Sequence, residues 1–350
     1  MVPGVRYLIV PLACLYLAGC APDSGVPDMM DGYVVSVADA LELRPELSDI
    51  APVPQIPRRR ERVLDMPDLD MGMLDFLSLY GCELQYVVGE RNSIMGRVMQ
   101  PLNRLRYETR FIRAAETCIS ETDGEDIQEE LEEAIAHKTE TLPIAIWNAT
   151  WGVEEIERLF TLSQGYYPGS GDDKVLAELS SGVKRVNQTV RGLLAGNTGE
   201  SLDYVGGVHQ LWQAEHRAGQ LLNSARLIAV RLDDATALLA KRVEGGAPLC
   251  SGSESEAPPG ELLEIYTDGY GVGIEDYLGR IEQAKEALIK PLDTLAAQQS
   301  ATMPSAFRGW YRLYLETGNA DSVWGQLARA ITAHKERWRQ LLTQCGALPQ

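Results

Sequence analysis

The chain has 350 residues, of which 45% are hydrophobic, so it is long enough to bury a sizeable core. Its formal net charge is −18, and it becomes −19 if residues 1–19 are removed, because Arg6 is their only charged residue. A protein this acidic does not attract nucleic acid through its bulk charge, so we expect no nucleic-acid partner.

The N-terminal residues have the pattern of a secretory signal peptide. Arg6 supplies a positive charge, residues 7–17 form an apolar run, and Ala18 and Gly19 are the small residues that a signal peptidase requires. The apolar run is too short to cross a bilayer, which takes about 20 residues. No later segment is apolar enough to predict a membrane helix.

The sequence Leu-Ala-Gly-Cys at residues 17–20 resembles the lipobox of bacterial lipoproteins. That resemblance implies cleavage before Cys20, a diacylglycerol on the Cys20 thiol and an acylated amino group, which together hold a protein to a membrane without spanning it. Ala21 stands where enterobacterial lipoproteins of the inner membrane carry Asp, which implies the periplasmic face of the outer membrane. The alternative is a soluble secreted protein in which Cys20 occurs by chance.

Prolines dominate the next segment and predict an irregular tether over residues 20–57. One short amphipathic helix is predicted within it, near residues 31–43. Four arginines follow the tether: Arg58, Arg59, Arg60 and Arg62. They either contact lipid phosphates or form a solvated or internally paired start to the domain. We therefore divide the chain into a signal peptide (1–19), a lipidated tether (20–57) and a single helical domain (58–350).

Helical spacing of apolar residues dominates from about residue 68 onward. It predicts helices over residues 74–88, 102–115, 143–162, 173–195, 201–244 and 324–345, and further helices that begin near Asp123 and near Ile274. The segment 201–244 has unbroken three–four spacing, which predicts one coiled-coil-like helix about 60 Å long. No alternating run predicts a strand. We therefore expect an all-α fold, an elongated antiparallel bundle behind the tether.

Four cysteines remain after the signal peptide and the lipidation site: Cys82, Cys118, Cys250 and Cys345. An even number in an oxidising compartment indicates two disulfides, with three possible connectivities. We favour Cys82–Cys118, because antiparallel helices folded at Pro101 would bring these two residues together. Cys250 and Cys345 then form the second pair. Zinc is the alternative, but no Cys lies within four residues of another.

The histidines do not predict a metal site. His209 and His216 share one stripe of the predicted long helix but lie about 10.5 Å apart along its axis, too far to bind one ion. His334 lies on an apolar seam, which predicts a buried core histidine with hydrogen-bond partners. The sequence contains no catalytic, phosphate-binding or dinucleotide-binding motif. We expect no catalytic residue, no metal and no cofactor.

An arginine cluster stands out in this acidic chain, between residues 91 and 113, where Glu108 is the only acid. Three of its members, Arg106, Arg110 and Arg113, share one helical face. One hypothesis is an anion site for a lipid headgroup, a wall fragment or an acidic peptide. Its candidate residues are Arg91, Asn92, Ser93, Arg97, Arg106, Arg110 and Arg113. The other hypothesis is internal pairing with acids of the bundle.

Five short motifs are spread along the chain: Pro57-Arg58-Arg59-Arg60, Leu74-Asp75-Phe76-Leu77, Glu90-Arg91-Asn92-Ser93, Leu105-Arg106-Tyr107-Glu108 and Cys345-Gly346. With them the chain resembles an uncharacterised family of Gram-negative bacterial lipoproteins that share a domain of unknown function. The resemblance implies an envelope location and no activity, substrate or catalytic residue. We expect a non-enzymatic binding or scaffold protein with a periplasmic protein or anionic ligand as its partner. The alternative is an envelope hydrolase or wall-modifying enzyme that uses the bend between Glu90 and Arg97.

Overall fold

The computed structural model describes residues 25–67, 69, 81–93, 96–122, 124–171, 173–245 and 260–344, without the side chains at positions 97, 271 and 272. These residues form α-helices, shorter 3-10 and π-helical segments and loops, with no strand among them. The predicted all-α fold is therefore confirmed. None of the helices in this part of the chain is both long and apolar enough to cross a membrane.

Seven helices make up the N-terminal half of the described chain. They are α1 (Gly25–Ala40), α2 (Arg59–Arg62), α3 (Glu83–Asn92), α4 (Pro101–Glu121), α5 (Glu125–Thr150), α6 (Glu155–Leu159) and α7 (Lys174–Leu194). Three residues join α4 to α5, so these two long helices pack against each other as an antiparallel pair. The predicted helix start at residue 143 is wrong, because α5 begins at Glu125 and continues through Pro143.

The C-terminal half contains the two helices that the apolar seams predict to pack together. Its helices are α8 (Val205–Ala214), α9 (Arg217–Gly245), α10 (Gly260–Glu264), α11 (Glu275–Ala284), α12 (Lys290–Ala297), α13 (Ser305–Tyr314) and α14 (Val323–Thr343). Two π-helical segments, Ile265–Ile274 and Lys285–Ile289, join α10 to α11 and α11 to α12. The long helices α9 and α14 pack along each other.

The predicted single helix over residues 201–244 is wrong, since the chain breaks between α8 and α9. Glu215 is extended, with φ −110° and ψ 149°, and it ends α8. The break allows Gly219 to lie against the backbone of Thr161, where any larger side chain would collide with the carbonyl oxygen. The apolar spacing continues through the break because α8 and α9 each bury a face of their own.

Residues 25–57 are packed against the helical body, which differs from the predicted free tether. Helix α1 spans Gly25–Ala40, whereas the sequence predicts a helix near residues 31–43. It packs on α9 and buries Val26, Met30, Tyr33, Val34, Val37 and Ala38. Prolines prevent a helix in the following segment, but an extended chain still buries side chains, as Val53 and Ile56 do. The folded body thus includes the chain from Gly25, well before the predicted boundary at residue 58.

Buried side chains form two cores. The main core draws on elements from α1 to α14, whereas a smaller cluster, here called the disulfide core, lies between α3, α4 and the first half of α5. Cys82 and Cys118 form a disulfide there, with Cα atoms 5.7 Å apart, which confirms the predicted pair. Cys20, Cys250 and Cys345 lie outside the described residues, so lipidation and the second disulfide stay predictions.

Candidate binding cleft

A cleft of about 440 Å³ opens where four separate segments meet: α2, the amino end of α4, the residues that lead into α6, and α8. We call it the His209 cleft. Its polar lining consists of Arg59, Gln100, Asn103, Glu154, Glu155, His209 and Gln210. A larger groove of about 660 Å³ borders α7, but the polar atoms that are buried without a hydrogen-bond partner in the described structure include none of its lining residues.

His209 is the most buried polar side chain of this lining, with 6% of its surface exposed. Its Nε2 is buried and has no hydrogen-bond partner within the described structure. Burial lowers the pKa of His209, an effect that Glu155 opposes and Arg106 reinforces. This lowered pKa keeps the imidazole ring neutral near pH 7.

The amino end of α4 forms one wall of the cleft. Gln100 precedes the helix in an extended conformation and makes no side-chain cap, and Pro101 at the first turn has no amide hydrogen. The amides of Leu102 and Asn103 therefore belong to the first turn, where a helix leaves its N–H groups without intrahelical partners. These amides and the helix dipole place positive partial charge at this wall.

Arg59 supplies a full positive charge on another wall. Its Nε donates to the Gly152 carbonyl oxygen at 3.1 Å, which holds the half-buried side chain in place. Its neighbour Arg62 is fully buried and pairs with Glu157. Arg59 and Arg62 therefore make contacts inside the domain, as one of the two hypotheses predicted. Arg58 and Arg60 are exposed.

Two acids complete the cleft. Glu154 is exposed and Glu155 is half-buried, and both stand at the start of α6. The cleft thus brings together a guanidinium, uncapped helix amides, two carboxylates and a neutral imidazole. Its lining contains no Ser, Thr, Cys or Lys side chain. It can hydrogen-bond a charged ligand, but it offers no hydroxyl, thiol or amine nucleophile.

The predicted anion site is only partly assembled at the bend after α3. The Arg91 Nη1 donates to the Gly96 carbonyl oxygen at 2.9 Å, and the Ser93 hydroxyl donates to the Glu90 carbonyl oxygen at 2.7 Å. Arg110 reaches the same bend, with its Nη1 2.9 Å from the Glu90 carboxylate. Both arginines and the Ser93 hydroxyl are therefore engaged by neighbours rather than directed to open space.

The other candidates of that site lie apart from the bend or have no described contact. Arg106 donates to the Leu202 carbonyl oxygen at 3.1 Å, and so faces the loop before α8. Asn92 and Arg113 are exposed, and within the described residues the Arg113 guanidinium has no recorded partner. The side chain at position 97 is not described. Whether these residues bind an anion stays a prediction.

Glu108 does not share a cleft with Glu90. Its carboxylate is fully buried, 2.9 Å from the Lys138 Nζ, and it also pairs with Arg104. Burial, followed by the Glu108 charge, raises the pKa of Tyr107 to about 12. Glu90 is 61% exposed instead. A catalytic pair of these two acids would need both in one cleft, so their separation disfavours the enzyme hypothesis at this bend.

Two of the other three histidines, His334 and His216, hydrogen-bond to neighbours, whereas the Nε2 of His137 is buried without a partner in the described structure. His334 is fully buried, with Nε2 2.6 Å from the Tyr33 hydroxyl and Nδ1 2.9 Å from the Thr236 hydroxyl, which confirms the predicted core histidine. Burial lowers its pKa to about 3. His216 lies beyond the break and contacts the Arg158 carbonyl oxygen at 2.9 Å. Across the part of the chain that the structure describes, no three His, Cys, Asp or Glu residues are grouped to hold a metal ion.

The sequence did not single out the cleft. Arg59 was considered within an arginine run, and His209 only as a metal ligand on a helix that proves to be broken. The one usable signal was Pro101, which marks the start of a helix and hence a set of free amides. Nothing in the sequence placed α2, α6 and α8 around that point.

The described residues define an all-α domain with a small polar cleft between helices. Residues 30–349 match the model of a family described as a protein of unknown function (DUF3080), and the chain belongs to that family. The predicted membership of an uncharacterised family is thereby confirmed. The comparisons with curated proteins and with solved structures found no match. The match begins inside α1, so it includes most of the segment that was predicted to be a tether.

Proposed function

We propose that this chain is a lipid-anchored envelope protein on the periplasmic face of the outer membrane, and that its helical body binds a small ligand or a partner segment in the His209 cleft. The anchor rests on the Leu-Ala-Gly-Cys sequence that ends at Cys20. The binding role rests on one observation, the buried and unpartnered Nε2 of His209 beside a cleft of ligand size.

The early start of the folded body constrains where that body would lie. From Cys20 to Gly25 the chain makes five Cα–Cα steps, which span at most about 18 Å when fully extended. A lipid on Cys20 would therefore hold α1 close to the headgroups, whereas a free tether to residue 57 would allow a far greater distance. In this proposal the His209 cleft therefore belongs to a body that is held close to the membrane surface.

A binding role fits the cleft better than catalysis. Its lining provides charge and hydrogen bonds but no hydroxyl, thiol or amine nucleophile. The alternative enzyme, a hydrolase or wall-modifying enzyme at the bend between Glu90 and Arg97, would need free acid and base groups there. The Glu90 carboxylate is instead paired with Arg110.

The anchor is tested by changing Cys20→Ala and fractionating the cells. We expect the variant to lose acylation and to be absent from the outer-membrane fraction. Intact-mass measurement of the wild type should show the fatty-acid increments on a chain that begins at Cys20. The matched control is Cys14→Ala, which changes a Cys inside the signal peptide and should leave the anchor unaltered. An unmodified amino end in the wild type would refute the anchor.

The binding role is tested with the full chain in detergent and a library of amino acids, short peptides, glycans, wall fragments and anionic headgroups. We expect at least one library member to raise the Tm of the wild type, and expect Arg59→Gln to abolish that shift. Arg60→Gln is the matched control, because Arg60 is the exposed neighbour that does not line the cleft. If no member acts in an Arg59-dependent way, the binding role is wrong. Turnover of a bound member would support the enzyme instead.

A further inference from the structure

We infer that the His209 cleft recognises a small zwitterion, an amino acid or a short peptide with a free carboxylate and a free ammonium group. This inference rests on the proposed binding role and adds the chemical class of the ligand. It is carried by the juxtaposition of opposite charges in one cleft of about 440 Å³, together with a buried imidazole nitrogen that has no partner.

The carboxylate end of such a ligand has two groups to receive it. Arg59 uses its Nε on the Gly152 carbonyl oxygen, and no contact of its two terminal nitrogens is recorded within the described chain. The amino end of α4 adds the amides of Leu102 and Asn103, because the Gln100 side chain does not cap the helix. Helix amino ends and guanidinium forks both favour a carboxylate.

The ammonium end has acceptors on the facing segment. Glu154 and Glu155, at the start of α6, are both lining residues of the cleft. His209 belongs to the same lining, where its ring is buried and its Nε2 has no hydrogen-bond partner in the described structure. A buried nitrogen without a partner costs free energy.

The same charges exclude simpler ligands. A phosphate or a dicarboxylate would meet Arg59 favourably but would be repelled by the two glutamates. A polyamine would meet the glutamates favourably but would be repelled by Arg59 and the amino end of α4. Only a ligand with both charges satisfies both walls, and the cleft volume lies in the lower half of the usual range for ligand pockets, about 300–1,000 Å³. That size suits a ligand of one to a few residues.

The inference is tested by calorimetry on the full chain in detergent with three matched probes. These are alanyl-alanine, its N-acetyl form and its C-terminal amide, each in the L and D series. We expect the free dipeptide to bind, and expect each blocked form to bind roughly 10- to 100-fold more weakly, because each loses one charge-assisted contact.

Two variants assign the ends. Arg59→Gln should weaken the free dipeptide and the N-acetyl form by about tenfold or more, but should change the amide little, since the amide has no carboxylate to lose. Glu155→Gln should weaken the free dipeptide and the amide, but not the N-acetyl form. Arg60→Gln and Glu178→Gln change the same residue types outside the cleft and should have no effect. If Arg59→Gln does not fold, Arg59→Lys keeps the charge and should show a smaller loss.

The outcomes separate this inference from the function on which it rests. Blocked and free dipeptides of equal affinity would overturn the zwitterion, and so would Arg59-dependent binding of a library member that lacks one of the two charges. In both cases the binding role stands. No Arg59-dependent binding by any dipeptide or library member would overturn the inference and the binding role together.

Discussion

The two cores of the molecule hold buried polar groups in different ways. In the main core, His334 lies between the hydroxyl groups of Tyr33 and Thr236, so that hydrogen bonds join neutral partners. Beside the disulfide core, Glu108 forms a buried ion pair with Lys138. The first arrangement joins α1, α9 and α14, whereas the second joins α4 to α5.

The two cores also differ in size. The main core gathers apolar side chains from most helices of the described chain, so packing alone supplies a large stabilisation. The disulfide core gathers side chains from three helices only and cannot bury a comparable area. It is tied instead by a covalent bond between α3 and α4 and by charges between α4 and α5. Four changes test whether the two cores differ in this way.

The largest effect is expected at the buried ion pair. Glu108→Leu leaves the Lys138 ammonium without its counterion in an apolar site, and should lower the free energy of unfolding by about 3–5 kcal/mol. Urea denaturation measures it. The double variant Glu108→Leu/Lys138→Met should recover most of the loss. Glu83→Ala, which removes an exposed contact to Arg110, should cost less than about 1 kcal/mol. Equal losses in the two single variants would contradict the assigned role of Glu108.

The disulfide comes next. Replacing Cys82 and Cys118 by Ala should lower the free energy of unfolding by about 2–4 kcal/mol, because the link restricts the unfolded chain. Hydrogen exchange should become faster in α3 and in the adjoining part of α4, but not in α9 or α14, which belong to the main core. Faster exchange throughout the molecule would mean that the two cores unfold as one unit.

The neutral cluster should show a smaller loss. Tyr33→Phe removes the hydroxyl that contacts His334 and accepts from the Trp338 Nε1 at 2.8 Å. We expect a decrease of about 1–3 kcal/mol in the free energy of unfolding, since two buried nitrogens lose a partner. Tyr86→Phe is the matched control, because Tyr86 is 69% exposed and should give no change. A null result for Tyr33 would remove the evidence that hydrogen bonds join α1 to α14.

For a change of one pH unit, the smallest expected effect is the loss of stability that His334 causes in acid. Its pKa is lowered from 6.5 to about 3, so the folded protein keeps the ring neutral while the unfolded chain protonates it. Above pH 6.5, His334 therefore causes no loss in the free energy of unfolding. As the pH drops from 6.5 towards 3, this free energy falls by about 1.4 kcal/mol per pH unit. Comparing wild type with His334→Gln isolates this slope from that of the carboxylates. Parallel stability curves would show that burial does not hold this ring neutral.

The sequence predicted the features that depend on local pattern. Apolar spacing indicated α4, α7 and α14 to within a few residues or one turn, apart from the C-terminal end of α4. The position of Pro101 between Cys82 and Cys118 indicated their disulfide. These predictions succeed because a helix and a short-range link are decided by residues close together in the chain.

The predictions that failed depended on partners distant in sequence. Spacing cannot reveal the break at Glu215, because apolar periodicity continues across it while Gly219 packs against Thr161. Proline content cannot reveal that residues 25–57 are packed against the body. Proline prevents a helix, but an extended chain can still bury side chains, as Val53 and Ile56 do. The sequence also could not assign partners to the arginines. Arg62 pairs with Glu157 of α6, and Arg110 pairs with Glu90 of α3, so each acid lies on another helix.

The sequence by itself determined the helical class, the disulfide pair and the neutral core histidine, because periodicity and burial follow from residue type along one face of a helix. Only the tertiary structure decided where Arg59, Glu155 and His209 meet, because α2, α6 and α8 are brought together by packing and not by any spacing in the chain. A cleft is the space left between packed elements, so its lining depends on how all of them fit at once.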